Sequence, residues 1–233
     1  MGLRTLLSVA VGALCSTIVA SIDHDQIQPI PQPVPVTDSE KAGVKFKPEL
    51  HILTGCVPYP AVSAAGEITG GLKGTGGTSG CEGPPLGAQI YGRAGWQNDV
   101  WAIMYAWYFP KSFDGGMPND RHDWGSVIVW IDNPALESPT IKAISMSQNN
   151  NDYDSTTSVD GGLPLQFSRR LRTFAGAAYI EHSKIPGNTQ DLIMWEQLPE
   201  VARTALNNAD FGYAKNPLND QNFAERLEFA WPF

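Results

Sequence analysis

Basic residues are scarce in this chain. It carries 16 Lys and Arg against 24 Asp and Glu, a formal net charge of −8 at pH 7. An acidic chain without an extended basic patch is poorly suited to neutralise a phosphate backbone, which argues against nucleic acid as a partner. The same shortage excludes docking by a polybasic stripe on anionic lipid, so any membrane encounter has to use specific headgroup recognition. Long apolar runs are lacking too. No stretch reaches the ~20 apolar residues of a membrane span, and the one at the N-terminus is itself too short. The sequence has no internal repeat, no Asn-x-Ser/Thr acceptor, no nucleophile elbow, no zinc motif and no phosphate loop. Cysteine is nearly absent, with three in 233 residues.

What is present begins with an export signal. Arg4 precedes a mostly apolar, uncharged run over residues 6–20, and the first acid is Asp23. A positive start, a short apolar stretch and small side chains at Val19 and Ser21 predict a signal peptide over residues 1–21, cleaved after Ala20 or Ser21. The protein is then secreted and soluble. Arg4 is the only charge removed, so the net charge moves from −8 to −9. The remaining ~212 residues suit one domain with a sizeable core. Cys15 leaves with the leader, and in an oxidising compartment the remaining Cys56 and Cys81 most simply pair as a disulfide. Their spacing supplies too few ligands for a metal–thiolate site.

Residues 22–36 read as an extended arm, because Pro29, Pro31, Pro33 and Pro35 exclude helix; the domain then runs over 37–233. Thr37 or Asp38 caps a short helix through Lys41, and residues 44–53 alternate as a strand. Residues 66–85 form a Gly/Ser/Thr-rich loop before a strand over 89–92. Residues 100–109 (VWAIMYAWYF) and 126–132 (SVIVWID) are apolar on both alternating faces, which predicts strands buried on both sides. Further strands are expected over 140–146 and 191–195, with a polar loop over 149–162. Arg169, Arg170 and Arg172 form the one basic cluster, read as solvated surface. Leu198, Val201, Ala202, Ala205 and Leu206 lie on one helical face, and Phe223, Leu227 and Phe229 on another. The fold class is mainly β: a single-domain β-sandwich with a few peripheral helices.

The polar stretch between the two strongest strands, KSFDGGMPNDRHDWG over 111–125, carries the chemistry. Asp114, Asp120, His122 and Asp123 could offer oxygen ligands to Ca²⁺ or Mg²⁺, or act as acid and base with His122 as proton carrier. A solvated turn whose aspartates cap backbone amides is the plainer alternative.

Several segments resemble the necrosis- and ethylene-inducing peptide 1-like protein family, in its two-cysteine subgroup. They are AIMYAWYFPK, RHDW and IVWIDNP between residues 102 and 134, with VKFKPELHI, CVPYPAV, QDLIMW, ARTALNNADFG and the final AWPF. They follow one another across nearly the whole mature chain. The resemblance implies an actinoporin-like β-sandwich secreted by plant-associated oomycetes, fungi or bacteria into the host apoplast. It implies a cytolysin that binds inositol-phosphoceramide sphingolipid headgroups through a divalent cation held by Asp, His, Asp and Glu. Three of those ligands belong to the heptapeptide Gly-His-Arg-His-Asp-Trp-Glu.

The heptapeptide here is Asn119, Asp120, Arg121, His122, Asp123, Trp124 and Gly125. Asp120 stands at the ligand His, Gly125 at the ligand Glu and Ser112 at the upstream Asp, so Asp123 alone is unchanged. A rewired cluster of Asp114, Asp120 and Asp123 is the one route back to Ca²⁺ or Mg²⁺, and such a site is expected to be weak or absent. The family's membrane-facing Trp falls on Phe174, and a nearby His on Ala178. The resemblance also makes the segment Ala102, Ile103, Met104, Tyr105, Ala106, Trp107, Tyr108, Phe109, Pro110 and Lys111 a microbial pattern sensed by plant leucine-rich-repeat immune receptors. The leading expectation is therefore a monomeric, secreted virulence effector, weakly or non-cytolytic and not an enzyme. An active cytolysin with the rewired metal site and a metal-dependent hydrolase are the alternatives.

Overall fold

Capping and turn chemistry place the first elements. The computed structural model describes residues 21–159 and 162–233. The expected leader, apart from Ser21, lies outside the described residues. After β1 (Ser21–Ile22), the proline-rich arm is extended and tied down, with Ile27 and Ile30 buried and the Ile30 amide donating to Gln89 Oε1. Thr37 caps α1 (Asp38–Lys45): its hydroxyl accepts from the Glu40 amide, and the Glu40 carboxylate accepts from the Thr37 amide. The helix continues past Lys41 because Ala42 and Gly43 are buried against the core, and Lys45 favours its C-terminal end. Val44 and Lys45 therefore belong to the helix, and β2 is confined to Glu49–Ile52. β3 (Ile68–Thr69) pairs in parallel with β1.

β4 (Gln89–Gln97) and β5 (Val100–Asp114) are joined by Asn98 and Asp99, both at positive φ (45° and 64°), as a two-residue hairpin turn requires. β6 (Met117–Ile131) follows across Gly115 and Gly116, also at positive φ. Both strands outrun the spans expected from their apolar cores, so the heptapeptide lies on a strand and not in a turn. Beyond the core the two arms pair with an irregular register between Lys111 and Phe113, and the β6 arm is alternately exposed and half-buried. Their polar faces carry no two-sided apolar signal.

β7 (Ile141–Ser147) is followed by β8 (Tyr153–Thr156), which occupies part of the expected polar loop. Its pairing is anchored by Tyr153, whose hydroxyl lies 3.0 Å from Ser126 Oγ. Then come β9 (Gln166–Arg170), β10 (Tyr179–His182), β11 (Asp191–Met194), α2 (Glu200–Asn208) and α3 (Phe223–Phe229).

The main sheet has the order β11-β4-β5-β6-β7-β8, and a smaller one the order β10-β9-β2. The smaller sheet packs on one face of the larger, with β10 over β6 and β7, and α1 extends that cover through the Tyr105 hydroxyl, which donates to Gly43 O at 2.7 Å. The other face carries α3 and the C-terminus, where the Trp130 indole donates to Ser145 Oγ and that hydroxyl to Ala230 O. Residues Ala102 to Phe109 lie between the two layers without exposure. Trp107, opposite Gly125 in the register, is fully buried, and truncating an indole so placed costs about 3–5 kcal/mol. The result is the expected mainly-β sandwich with helices at its edges. Cys56 and Cys81 form the disulfide. No helix among the described residues is long and apolar enough to cross a membrane.

Candidate functional site

On β6 the heptapeptide sends alternate side chains to opposite faces of the sheet. Trp124 turns toward the helical face and packs edge-on to Tyr91, Tyr108 and Phe211, at 6.0, 5.4 and 5.5 Å between ring centroids. His122 shares that face two residues earlier, but with φ at 64°, a left-handed conformation uncommon for side-chain-bearing residues. Its ring fills the space over Gly71, sits 5.2 Å from the Phe211 ring, and places Nδ1 2.7 Å from the Tyr108 hydroxyl. Burial, with Arg121 beside it, lowers the imidazole pKa to about 4. His122 is thus a neutral packing residue near neutral pH, which disfavours the proton-carrier role.

Asp123 and Gly125 face the smaller sheet. The Asp123 carboxylate accepts from the Trp124 amide and from the Arg169 guanidinium. Burial raises this carboxyl above the ordinary carboxylate range, an effect that Arg169 and the Trp124 amide oppose. Arg169 corrects the reading of the basic cluster as solvated. It is 1% exposed, and its guanidinium carbon lies 3.7 Å from the centre of the Phe109 ring. Of its neighbours, Arg170 does reach solvent beside Glu181, while Arg172 stacks on Tyr179 at 4.6 Å. The missed signal was alternation: Leu165, Phe167 and Arg169 occupy successive inward positions, all buried.

The aspartates expected to rebuild a metal site border one cavity, but two of the three are already engaged by the chain. Asp114, Asp120 and Asp123 line one cavity of about 160 Å³ with Ser112, Asn119, His122, Asn150 and Tyr213. Yet Asp114 Oδ1 is taken by the Gly176 amide at 2.7 Å, and Asp123 by Arg169. Ser112 Oγ accepts from the Asp120 amide at 2.9 Å and so closes the irregular stretch between the strands. At Gly125 a Cβ would stand 3.0 Å from Ile180 Cδ1 and 3.4 Å from Phe109 Cε2, so the room a longer acid would need is filled. Among the described residues no three His, Cys, Asp or Glu side chains are grouped to hold a metal ion. The residues present do not fit a tightly held Ca²⁺ or Mg²⁺.

Two further expected positions lie at the same end of the molecule. Phe174 is 96% exposed on the loop between β9 and β10, its backbone against Gly115 at the hairpin tip, and Ala178 follows half-buried. The segment from Ala102 to Lys111 is buried throughout. Its last residue, Lys111, donates to the carbonyls of Thr75, Gly77 and Ser79 at 2.8, 2.8 and 3.2 Å, pinning the glycine-rich loop that the disulfide closes.

The chain is 49% identical over 229 residues to NLP effector protein 2 of Phytophthora capsici, covering 92% of this chain and 88% of that one. It is 46% identical to NLP effector protein 3 of the same organism over the full length of both. Among solved structures it resembles the non-toxic HaNLP3 protein, at TM-score 0.83 and 48% identity, covering 90% of this chain and 99% of that one. It also resembles NLPPya in complex with mannosamine, at TM-score 0.82 and 38% identity, covering 91% and 99%. The profile of the necrosis inducing protein family (NPP1) matches residues 40–230, and the chain belongs to that family.

Proposed function

We propose that this protein is a secreted virulence effector of a plant-associated microbe that acts in the host apoplast without lysing plant membranes. The observation that carries the reading is the state of the ligand positions. Asp123 is held by Arg169, Ser112 is bonded to the Asp120 backbone, and the space beside Gly125 is filled by Ile180. The effector names of its relatives and the non-toxic character of HaNLP3 support it. A non-enzymatic role is part of the same reading, since His122 is held neutral under aromatic rings and Asp123 is ion-paired.

The cavity beside the heptapeptide suits a sugar. Ser112, Asn119, Asp120 and Asn150 supply hydroxyl, amide and carboxylate groups, and Tyr213, 81% exposed, supplies a ring edge. NLPPya has been crystallised with glucosamine and with mannosamine. The proposed ligand is accordingly the terminal hexose or hexosamine of an inositol-phosphoceramide headgroup, with exposed Phe174 at the lipid side. Phe lacks the indole N–H that suits the headgroup level, which also favours weak attachment.

Leaf infiltration and dye release from inositol-phosphoceramide vesicles test the reading. No necrosis and no leakage are expected at concentrations where a cytolytic relative acts; rapid leakage would refute it. The proposed second activity is as an immune pattern. The segment is a central strand, so an intact fold hides it. The 102–111 peptide, or denatured protein, is expected to trigger ethylene release through a leucine-rich-repeat receptor, and folded protein only after proteolysis.

A further inference from the structure

Arg169 reaches Asp123 from the middle strand of the smaller sheet, where its backbone is fixed on both sides. It pairs with Ile52 of β2 and Ile180 of β10, and its carbonyl accepts from the Leu53 amide at 3.0 Å. The side chain enters a slot made for a planar cation. One wall is the Phe109 ring, whose face attracts a guanidinium. Another is Gly55, at φ 97°, where a Cβ would come within 3.2 Å of Arg169 Nη1 and 3.0 Å of Leu171 Cδ2. Nη2 meets the Asp123 carboxylate, and Nη1 is buried without a hydrogen-bond partner in the described structure. A group so enclosed gives up its hydration for one ion pair and one ring face. Surface arginines have no reason to adopt that arrangement.

We propose that Arg169 is the resident cation of this site: its guanidinium balances Asp123 where a divalent ion would have to sit, and the Asp123–Arg169 pair is charge-neutral without metal. The remaining changes are consistent with such an exchange. A fixed monovalent cation needs one carboxylate, not several, which matches Ser112 and Gly125 at positions where further acids would otherwise stand. The guanidinium is also attached to the scaffold, so the carboxylate stays satisfied in solutions free of Ca²⁺ and Mg²⁺. The proposal is separate from the question of lysis, since leakage assays read one and thermal shifts read the other.

Thermal unfolding of the mature protein decides it, using CaCl₂ and MnCl₂ as probes against EDTA. Wild-type Tm is expected to stay within about 1 °C across all three. Arg169→Met in EDTA is expected to lose roughly 6–15 °C, because it strands a buried carboxylate. Millimolar Mn²⁺ or Ca²⁺ then restores several degrees to Arg169→Met. It does nothing to the double variant Arg169→Met/Asp123→Asn, in which no charge is left to balance. The double variant is also expected to melt above Arg169→Met in EDTA. If Arg169→Met does not fold, Asp123→Asn alone reads the same coupling, with Arg169 then unbalanced and Tm lowered. A wild-type Tm raised several degrees by either metal overturns the proposal. So does an Arg169→Met that is indifferent to metal and additive with Asp123→Asn, which would make Arg169 a packing residue only.

Discussion

Acid should unfold this protein partly through His122, and the size of the effect can be worked from its surroundings. In the fold the imidazole pKa is lowered to about 4 by burial, whereas an unfolded chain titrates near ~6.5. Between these values the unfolded chain holds a proton that the folded chain does not, so stability rises with pH across that window. The contribution is fully present above about pH 6.5 and is lost progressively toward pH 4. A shift of that size corresponds to about 3 kcal/mol at most. The ring is only partly buried, and solvent screening reduces this to roughly 2 kcal/mol, or a Tm change of roughly 4–8 °C. Urea unfolding at half-unit steps from pH 7 to pH 4 measures it against His122→Asn, whose short side chain tolerates the left-handed backbone and does not titrate there. Loss of ring packing and of the Tyr108 bond gives the variant a constant offset, and its pH slope should be shallower by that amount. Parallel slopes would show that His122 is not held neutral by its surroundings.

Other substitutions probe the framework. Replacing Cys56 and Cys81 by serine should cost about 3 kcal/mol in urea midpoint analysis and open the chain between them to protease. Lys111→Met leaves three carbonyls of the glycine-rich loop without their donor; limited proteolysis within residues 73–80 should accelerate at least several-fold while the disulfide remains intact. Gly125→Glu should destabilise by about 1–3 kcal/mol through overpacking against Ile180, read as a lower denaturation midpoint. Ile180→Ala in the same chain should recover part of that loss, more than the separate effects would sum to. Tyr105→Phe should cost about 1 kcal/mol by deleting its bond to Gly43 O.

The parts of the fold that sequence discloses are those where one signal dominates. Residues 100–109 and 126–132 are apolar on both pleat faces, and only a two-sided burial explains that. The disulfide follows from counting once Cys15 is assigned to the leader, and the capping box at Thr37 marks a helix start. The outer arms of β5 and β6 escape notice because Met117 to Arg121 alternate between exposed and half-buried and, with Pro118 and three polar residues, look like a loop until pairing is known. The same holds for Asp123 and Arg169, which lie 46 residues apart and meet only because two sheets stack. Charge in a sequence reads as surface by default, and a buried partner on another strand reverses that reading. Altered ligand positions were visible at Ser112 and Gly125; what occupies their space was not.

The central claim is that Asp123 is neutralised by the chain and therefore leaves no tight seat for a divalent ion. A crystal of the mature protein grown in millimolar manganese, with anomalous data collected near the metal edge, puts this to the test directly. Arg169 seated on Asp123 with no anomalous peak in the heptapeptide cavity is the predicted result. A fully occupied ion bridging Asp120 and Asp123, with the guanidinium displaced, would contradict it.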